Sequence, residues 1–237
     1  AIARGAVAVL TDEEGSKLIS GLPTLVVKDV RRAGAIVASS LYKNPTRDLH
    51  AIGITGTNGK TTVTTLLHQI FHAAGRESGL IGTVETRIGA EVIPSTRTTP
   101  EAAELQALTA AMRERHMRHL VMEVSSHAIS LKRIQGSHFS IVGFTNLSQD
   151  HLDFHGDMES YFLAKAALFK FSFADLACIN IDDAYGARLA STTELPVITV
   201  SRFNPQAVWH FIEIDSQSKR VQLKIRGAAG ILIETST

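Results

Sequence analysis

Between Gly53 and Thr62 the chain reads GITGTNGKTT. Gly53, Gly56 and Gly59 are followed at once by Lys60, Thr61 and Thr62. Glycines let successive backbone N–H groups turn toward one anion, and a helix start adds partial positive charge. A lysine there can meet terminal phosphates, and a threonine hydroxyl can hold Mg²⁺. Gly56, Thr57, Asn58, Gly59, Lys60, Thr61 and Thr62 are therefore the candidate phosphate-binding residues. The strict phosphate-loop pattern has a glycine five residues before Gly59, where this chain has Ile54. The order of strand, Gly-Lys-Thr and helix is nevertheless kept. The bland alternative is an ordinary glycine turn opening a helix. Nucleotide binding is the stronger reading.

Three other groups could join that chemistry. Glu123 closes the apolar run HLVME. A carboxylate at the carboxyl edge of a strand, beside a phosphate loop, is placed to hold Mg²⁺, although a solvated strand-end Glu would look the same. DHLDFH supplies Asp150, His151, Asp153 and His155. Its two histidines, four apart, would share a helix face, which permits a zinc reading. No third soft ligand is evident, and turn or capping bonds account for the two Asp. Lys165 lies in SYFLAKAALFKF, on the stripe of Met158, Tyr161, Phe162, Leu168 and Phe169. It either snorkels past its apolar neighbours or points inward because something inside needs it.

The elements that must carry these residues follow from the pattern. HAIGIT, HLVMEV, FSIVGFTN and LACINID read as short apolar strands, separated by helical periodicity. The helix after Lys60 shows Val63, Leu66, Leu67, Ile70, Phe71 and Ala74 at helical spacing, with Gly75 to cap it. LIGTVETRI and EVIP read as a strand pair. Thr98 with Glu101 fits a capping box, with Pro100 in the first turn of the next helix. Upstream, VRRAGAIVASSLY reads as a helix with Ala33, Ile36, Val37, Ser40 and Leu41 inside, and KNPTRD as a linker. The expected class is α/β with a mainly parallel sheet.

The 237 residues, 44% hydrophobic and 20% charged, can bury a sizeable core and argue against disorder. A net charge of +1 gives no case for nucleic acid or a membrane surface. The lone Cys178, in the apolar run LACIN, is expected on a buried strand. No bilayer-spanning stretch and no leader are seen, so a cytoplasmic protein is expected. The alternating pattern of Val221, Leu223 and Ile225, and then Ile231 and Ile233, suggests a sheet cut short and hence a fragment.

GITGTNGKTT, TTPEA, VMEVSSHAISLKRI, FTNLSQDHLDFHG and YFLAKAALF, in that order, resemble the Mur ligase family, and most closely its tripeptide-synthetase branch. The resemblance implies an ATP-dependent amide ligase of peptidoglycan synthesis, working as a monomer. Its reaction adds a diamino acid, meso-diaminopimelate or L-lysine, to UDP-N-acetylmuramoyl-L-Ala-D-Glu through an acyl phosphate. It implies that residues 1–47 end a UDP-sugar-binding domain. Residues 48–237 would be an incomplete central P-loop ATPase domain, with a C-terminal domain absent. It further implies ATP and Mg²⁺ as cofactors, with Thr61, Glu123, His151 and Lys165 around the metal, the lysine as a carbamate. Lys60, Lys165 and His151 would be catalytic. Thr98, Thr99, Ser125 and Arg133 would meet the UDP-linked peptide; without the resemblance Arg133 is a surface cation. His155 would be structural. Another ligase of the same core, such as a folylpolyglutamate synthase, and a non-catalytic nucleotide-binding module are the competing readings.

Overall fold

A computed structural model describes residues 2–217 and 220–236. The chain opens with β1 (Val9–Thr11), α1 (Glu13–Ser16), β2 (Thr24–Val26) and α2 (Val30–Leu41). β1 and β2 pair in parallel as a small sheet of their own. α2 packs against a later helix, α4 (Ala102–Glu114), with a different face from the one expected. Ala35, Ala38 and Ser39 are buried, whereas Ile36, Val37 and Leu41 are exposed, Leu41 to 76%. Small residues win the inner face because the backbones come close. The Ser39 hydroxyl donates to the Gly136 carbonyl at 2.8 Å, and a Cβ on Gly136 would lie 2.8 Å from that of Ser39. KNPTRD is no loose linker either. It folds into a 3-10 turn in which Pro45 and Thr46 are buried, and Thr46 Oγ1 accepts from the His138 N–H.

The second sheet begins with β3 (His50–Thr55), followed by α3 (Lys60–Ala73), β4 (Ser78–Ile81), β5 (Glu85–Ile88) and β6 (Glu91–Pro94). After α4 come β7 (His119–Glu123), α5 (Ser126–Ser130), β8 (Phe139–Phe144), α6 (Leu152–His155), α7 (Met158–Ala166) and β9 (Ala174–Asn180). α8 (Ala184–Thr192), β10 (Val197–Ser201), β11 (Trp209–Gln217), β12 (Arg220–Arg226) and β13 (Leu232–Ser236) complete it. The strand order is β13-β12-β11-β10-β9-β8-β3-β7-β4-β5-β6. The pairs from β4 through β11 are parallel, and the strands beyond, at both edges, are antiparallel. LIGTVETRI is thus two strands rather than one. The chain turns at Gly82, whose N–H donates to the Glu85 carbonyl, and reverses direction.

This order decides which face is covered. The chain runs from β3 to β4 one way, then returns through β7, β8, β9 and β10 the other way. Right-handed crossovers place α3 on one face and the later helices on the other. The face of the later helices holds Ala51, Val142, Phe144, Ala177 and Ile179, all buried. On the α3 face, Ile54, Ile141, Leu176, Cys178, Ile198 and Val200 line an apolar groove of about 690 Å³ between α3 and β11. Cys178 is on a strand as expected, but half-buried at that groove. α3 itself turns Thr64 into the core, with Val63 and Leu67 lining the groove. The expected inner residues Leu66 and Ile70 face outward, Ile70 to 62%. Gly75 does close the helix. Its N–H bonds the His72 carbonyl and that of Arg76 the Phe71 carbonyl, the paired bonds of a Schellman ending.

Two glycines test this packing in opposite directions. A Cβ on Gly186, in the first turn of α8, would lie 2.0 Å from the Asn180 carbonyl oxygen, a backbone atom that cannot yield cheaply. Gly186→Ala is expected to cost roughly 1–3 kcal/mol. A Cβ on Gly34, inside α2, would meet nothing within 4 Å, so Gly34→Ala is expected to stabilise by about 0.5–1 kcal/mol. Urea unfolding of both variants checks the signs.

Candidate functional site

β8, β3 and β7 lie side by side, and their carboxyl ends carry the candidate groups. In an open parallel sheet this edge is where ligands bind. The loop after β3 needs glycine at two points. Gly56 has φ +147°, and a Cβ there would lie 1.9 Å from Thr145 Oγ1. Gly59 has φ +85° and caps α3. The first intrahelical bond is from the Val63 N–H to the Gly59 carbonyl. The N–H groups of Lys60, Thr61 and Thr62 therefore have no helical carbonyl to bond, which is the anion-binding end of a helix.

The segment after β8 straps the loop. Thr57 N–H donates to the Asn146 carbonyl at 2.9 Å, and Asn58 N–H to Asn146 Oδ1 at 3.0 Å. Asn146 Nδ2 and Thr145 Oγ1 both donate to the Asn58 carbonyl, at 3.1 and 2.7 Å. Ser148 N–H donates to Thr57 Oγ1 at 3.0 Å. Thr145, Asn146 and Ser148 were not singled out from the sequence. The cluster of short polar residues directly after an apolar strand was the available signal, but the partners lie 87 to 91 residues away.

Both lysines point at the loop. Lys60 Nζ donates to the Gly56 carbonyl at 3.0 Å and the Thr57 carbonyl at 2.8 Å. Lys165 Nζ donates to the same Gly56 oxygen at 2.8 Å and lies 4.6 Å above the Tyr161 ring. Lys165 is 1% exposed, which overturns snorkelling. Burial first, then the charge of Lys60, holds its pKa down to about 7, with Asp150 pulling weakly the other way. Burial also lowers Lys60, partly offset by Glu123 and Asp150. Tyr161, Phe162, Leu168 and Phe169 are buried as expected, though α7 ends at Ala166 and the last two sit in the turns after it. Tyr161 Oη is 3.3 Å from Thr57 Oγ1.

Glu123 is fully buried. Thr61 Oγ1 lies 3.0 Å from each of its carboxylate oxygens. Thr83 N–H donates to Oε1 at 2.7 Å and Thr83 Oγ1 to Oε2 at 3.1 Å. Thr61 and Glu123 together are hard oxygen donors at a helix N-terminus, the donor type suited to Mg²⁺. His151 stands apart from them. It has φ +52°, and its Nε2 lies 3.4 Å from Asp150 Oδ2. Its ring packs edge-on to His127 and Tyr161. His155 turns instead to Ser126, its Nε2 2.9 Å from the hydroxyl. The two histidines differ in their hydrogen-bond partners, because His151 caps α6 and is not part of it, although both rings lie against His127 and Tyr161. Among the described residues no three His, Cys, Asp or Glu side chains are grouped to hold a metal ion. Burial lowers the pKa of both His127 and His155, and the neighbouring rings lower it further.

The remaining candidates surround α4 and α5. The capping box is not formed. α4 starts at Ala102 with Glu101 as its cap and no side-chain bond there, so Pro100 precedes the first turn. Glu101 is drawn off by Arg133, whose Nη2 lies 2.9 Å from its carboxylate. Arg133 is no free surface cation, since its side chain is 15% exposed and its Nη1 donates to the Thr99 carbonyl at 3.4 Å. Thr99 is fully buried, donating to the Glu123 carbonyl and accepting from the Ser125 N–H. Ser125 caps α5 through its hydroxyl, which accepts from Ala128 N–H. Thr98 Oγ1 is 3.1 Å from Thr83 Oγ1. Thr98, Thr99, Ser125 and Arg133 therefore form one wall adjoining Glu123.

The chain is similar to known proteins in sequence and in fold. A UDP-N-acetylmuramoyl-L-alanyl-D-glutamate–2,6-diaminopimelate ligase of Streptomyces coelicolor is 50% identical over 214 residues, covering 89% of this chain and 42% of the relative. One from Corynebacterium glutamicum is 44% identical, over 95% of this chain and 48% of the relative. The solved structure of a ligase of the same name superimposes with a TM-score of 0.84 at 26% identity, over 100% of this chain and 48% of that one. The chain thus spans about half the length of the curated relatives it matches. The Mur ligase middle domain matches residues 54–236, from the end of β3 through β13, and the chain belongs to that family.

Proposed function

We propose that this chain is the ATP-binding part of a ligase that joins 2,6-diaminopimelate to UDP-N-acetylmuramoyl-L-Ala-D-Glu. The observation that carries the reading is the pair of lysines on one loop carbonyl, beside a helix N-terminus and a buried Thr61–Glu123 pair. The relatives' names supply diaminopimelate, where the residues alone leave L-lysine open. Residues 1–47, with their separate sheet, would end the domain that holds the UDP-sugar.

In the first step the substrate's terminal carboxylate attacks the γ-phosphorus of ATP, ADP leaves, and an acyl phosphate forms. The amine of diaminopimelate then attacks the acyl carbon, phosphate leaves, and the amine gives up a proton to yield the amide. Lys60 would swing from the Gly56 and Thr57 carbonyls to the terminal phosphates, while the first N–H groups of α3 bind phosphate oxygens. Thr61 and Glu123 would hold Mg²⁺, with His151 near a second ion. The metal supplies positive charge that lets two anions approach. Arg133 and Thr98 would orient the UDP-linked peptide, with Thr99 and Ser125 shaping their wall, and positioning supplies much of the rate.

Lys165 would act as a carbamate. A buried amine with a pKa of about 7 is substantially neutral near neutrality, and a neutral amine adds CO₂ with loss of one proton. The product is an anion that reverses the repulsion between Lys165 and Lys60.

Two experiments test this reading. Lys60→Ala is expected to weaken binding of a fluorescent ATP analogue by at least tenfold; unchanged affinity would remove the phosphate-loop assignment. With ¹³C-bicarbonate, the wild type is expected to show a carbamate carbon signal that Lys165→Met lacks, and equal signals in both would end the carbamate proposal. The same variant gives a pH signature in carbon-dioxide-free buffer. The folded-state pKa lies below the ordinary 10.5, so between about 7 and 10.5 the unfolded chain binds the extra proton. The wild type should therefore gain stability relative to Lys165→Met as pH rises through that window. Below it the cost of the buried charge is fully present. A difference that stays flat from pH 7 to 10 would contradict the burial argument.

A further inference from the structure

Glu123 is held by two segments of chain. Thr61, on α3, approaches from the phosphate loop. The turn between β4 and β5 supplies further bonds, through the Thr83 N–H and hydroxyl. The turn comes close only because residue 82 is glycine, since a Cβ there would lie 2.6 Å from Glu123 Oε1. The Thr83 hydroxyl also lies 3.1 Å from that of Thr98. With a single proton it donates to the carboxylate or to Thr98, but not to both at once.

We propose that Thr83 is a positioning residue: it fixes the orientation of the Glu123 carboxylate for Mg²⁺ and ties it to the Thr98 wall. The inference rests on the nucleotide and metal reading above and adds a residue to it. The physical reason lies in what happens when a cation arrives. Thr61 and Glu123 now satisfy each other. A cation held by Thr61 and Glu123 would replace the Thr61–carboxylate bond, while the Thr83 bonds, which come from a different element, can persist. A carboxylate so anchored presents its free lone pairs in one direction and loses little freedom on binding. Groups that orient a ligand in this way are typically worth 10–100-fold in metal affinity. Thr83 reaches Glu123 and Thr98 and makes no hydrogen bond to the phosphate loop among the described residues, so its effect should appear through the metal.

The test measures affinity of this chain for a non-hydrolysable ATP analogue, with Mg²⁺ and with EDTA, in wild type, Thr83→Val, Thr83→Ser and Gly82→Ala. Valine keeps the branched shape and the backbone N–H but removes the hydroxyl. The wild type should bind more tightly with Mg²⁺. Thr83→Val should lose roughly tenfold or more of that advantage with the EDTA affinity and the thermal midpoint unchanged. Thr83→Ser should restore it to within about threefold. Gly82→Ala, which pushes on Oε1, should mimic the valine variant. A Thr83→Val protein that keeps the full Mg²⁺ advantage overturns the inference, as does one whose affinity falls by the same factor with Mg²⁺ and with EDTA, since that marks general damage. A wild type that binds the analogue with no Mg²⁺ advantage overturns the metal reading, and this inference with it.

Discussion

One carbonyl oxygen, that of Gly56, accepts hydrogen bonds from two lysines on helices far apart in the chain, α3 and α7. Bringing two amines out of water to the same dipole is costly, and burial outweighs the pull of the nearby carboxylates on each of them. The surrounding structure has to hold that arrangement. α7 is anchored by Tyr161 and Phe162, which fill the core and leave Lys165 no path to solvent. The loop is fixed by its straps to Asn146 and Ser148, so the carbonyl cannot turn away. Such a site favours whatever brings negative charge to it, and this links the fold to phosphate chemistry more directly than the glycine pattern does.

Threonine does much of the construction. Thr61, Thr83, Thr98, Thr99 and Thr145 bind to one another, to Glu123 or to the loop, and Thr57 ties the loop to Ser148 and Tyr161. Its hydroxyl both donates and accepts, and its branched Cβ restricts rotation about χ1. A threonine network therefore places polar groups with little freedom left to lose. Glutamine or lysine could reach the same atoms only by ordering several more bonds.

The strand and helix order and the glycine loop before α3 could be read from the chain, because each rests on local periodicity or on a motif of a few residues. Periodicity left the direction of Lys165 open, and only the family resemblance favoured the inward one. The face of α2 could not be read. Ile36 and Leu41 look like core residues, yet the close approach of α4 and of the turn at Gly136 selects Ala35, Ala38 and Ser39. The capping box failed for a related reason. Glu101 has a stronger partner in Arg133, a residue 32 positions away whose charge no local rule weighs. The turn at Gly82 and the contacts of Thr83 were likewise hidden, since they depend on where β7 ends beside β4.

The bond between Thr57 and Ser148 spans 91 residues of chain. Closing a loop of that size costs about 4 kcal/mol of chain entropy before any constant is added, more than one hydrogen bond returns. The shape of the phosphate loop is consequently not written into its ten residues. A peptide cut from this stretch would keep the glycines and lose their geometry. In the folding chain the loop can take its final form only after β3 and β8 have paired, so it belongs to the late, non-local part of assembly. Any opening that separates those two strands dissolves the loop with them, which makes its order a local gauge of whether the central sheet is intact.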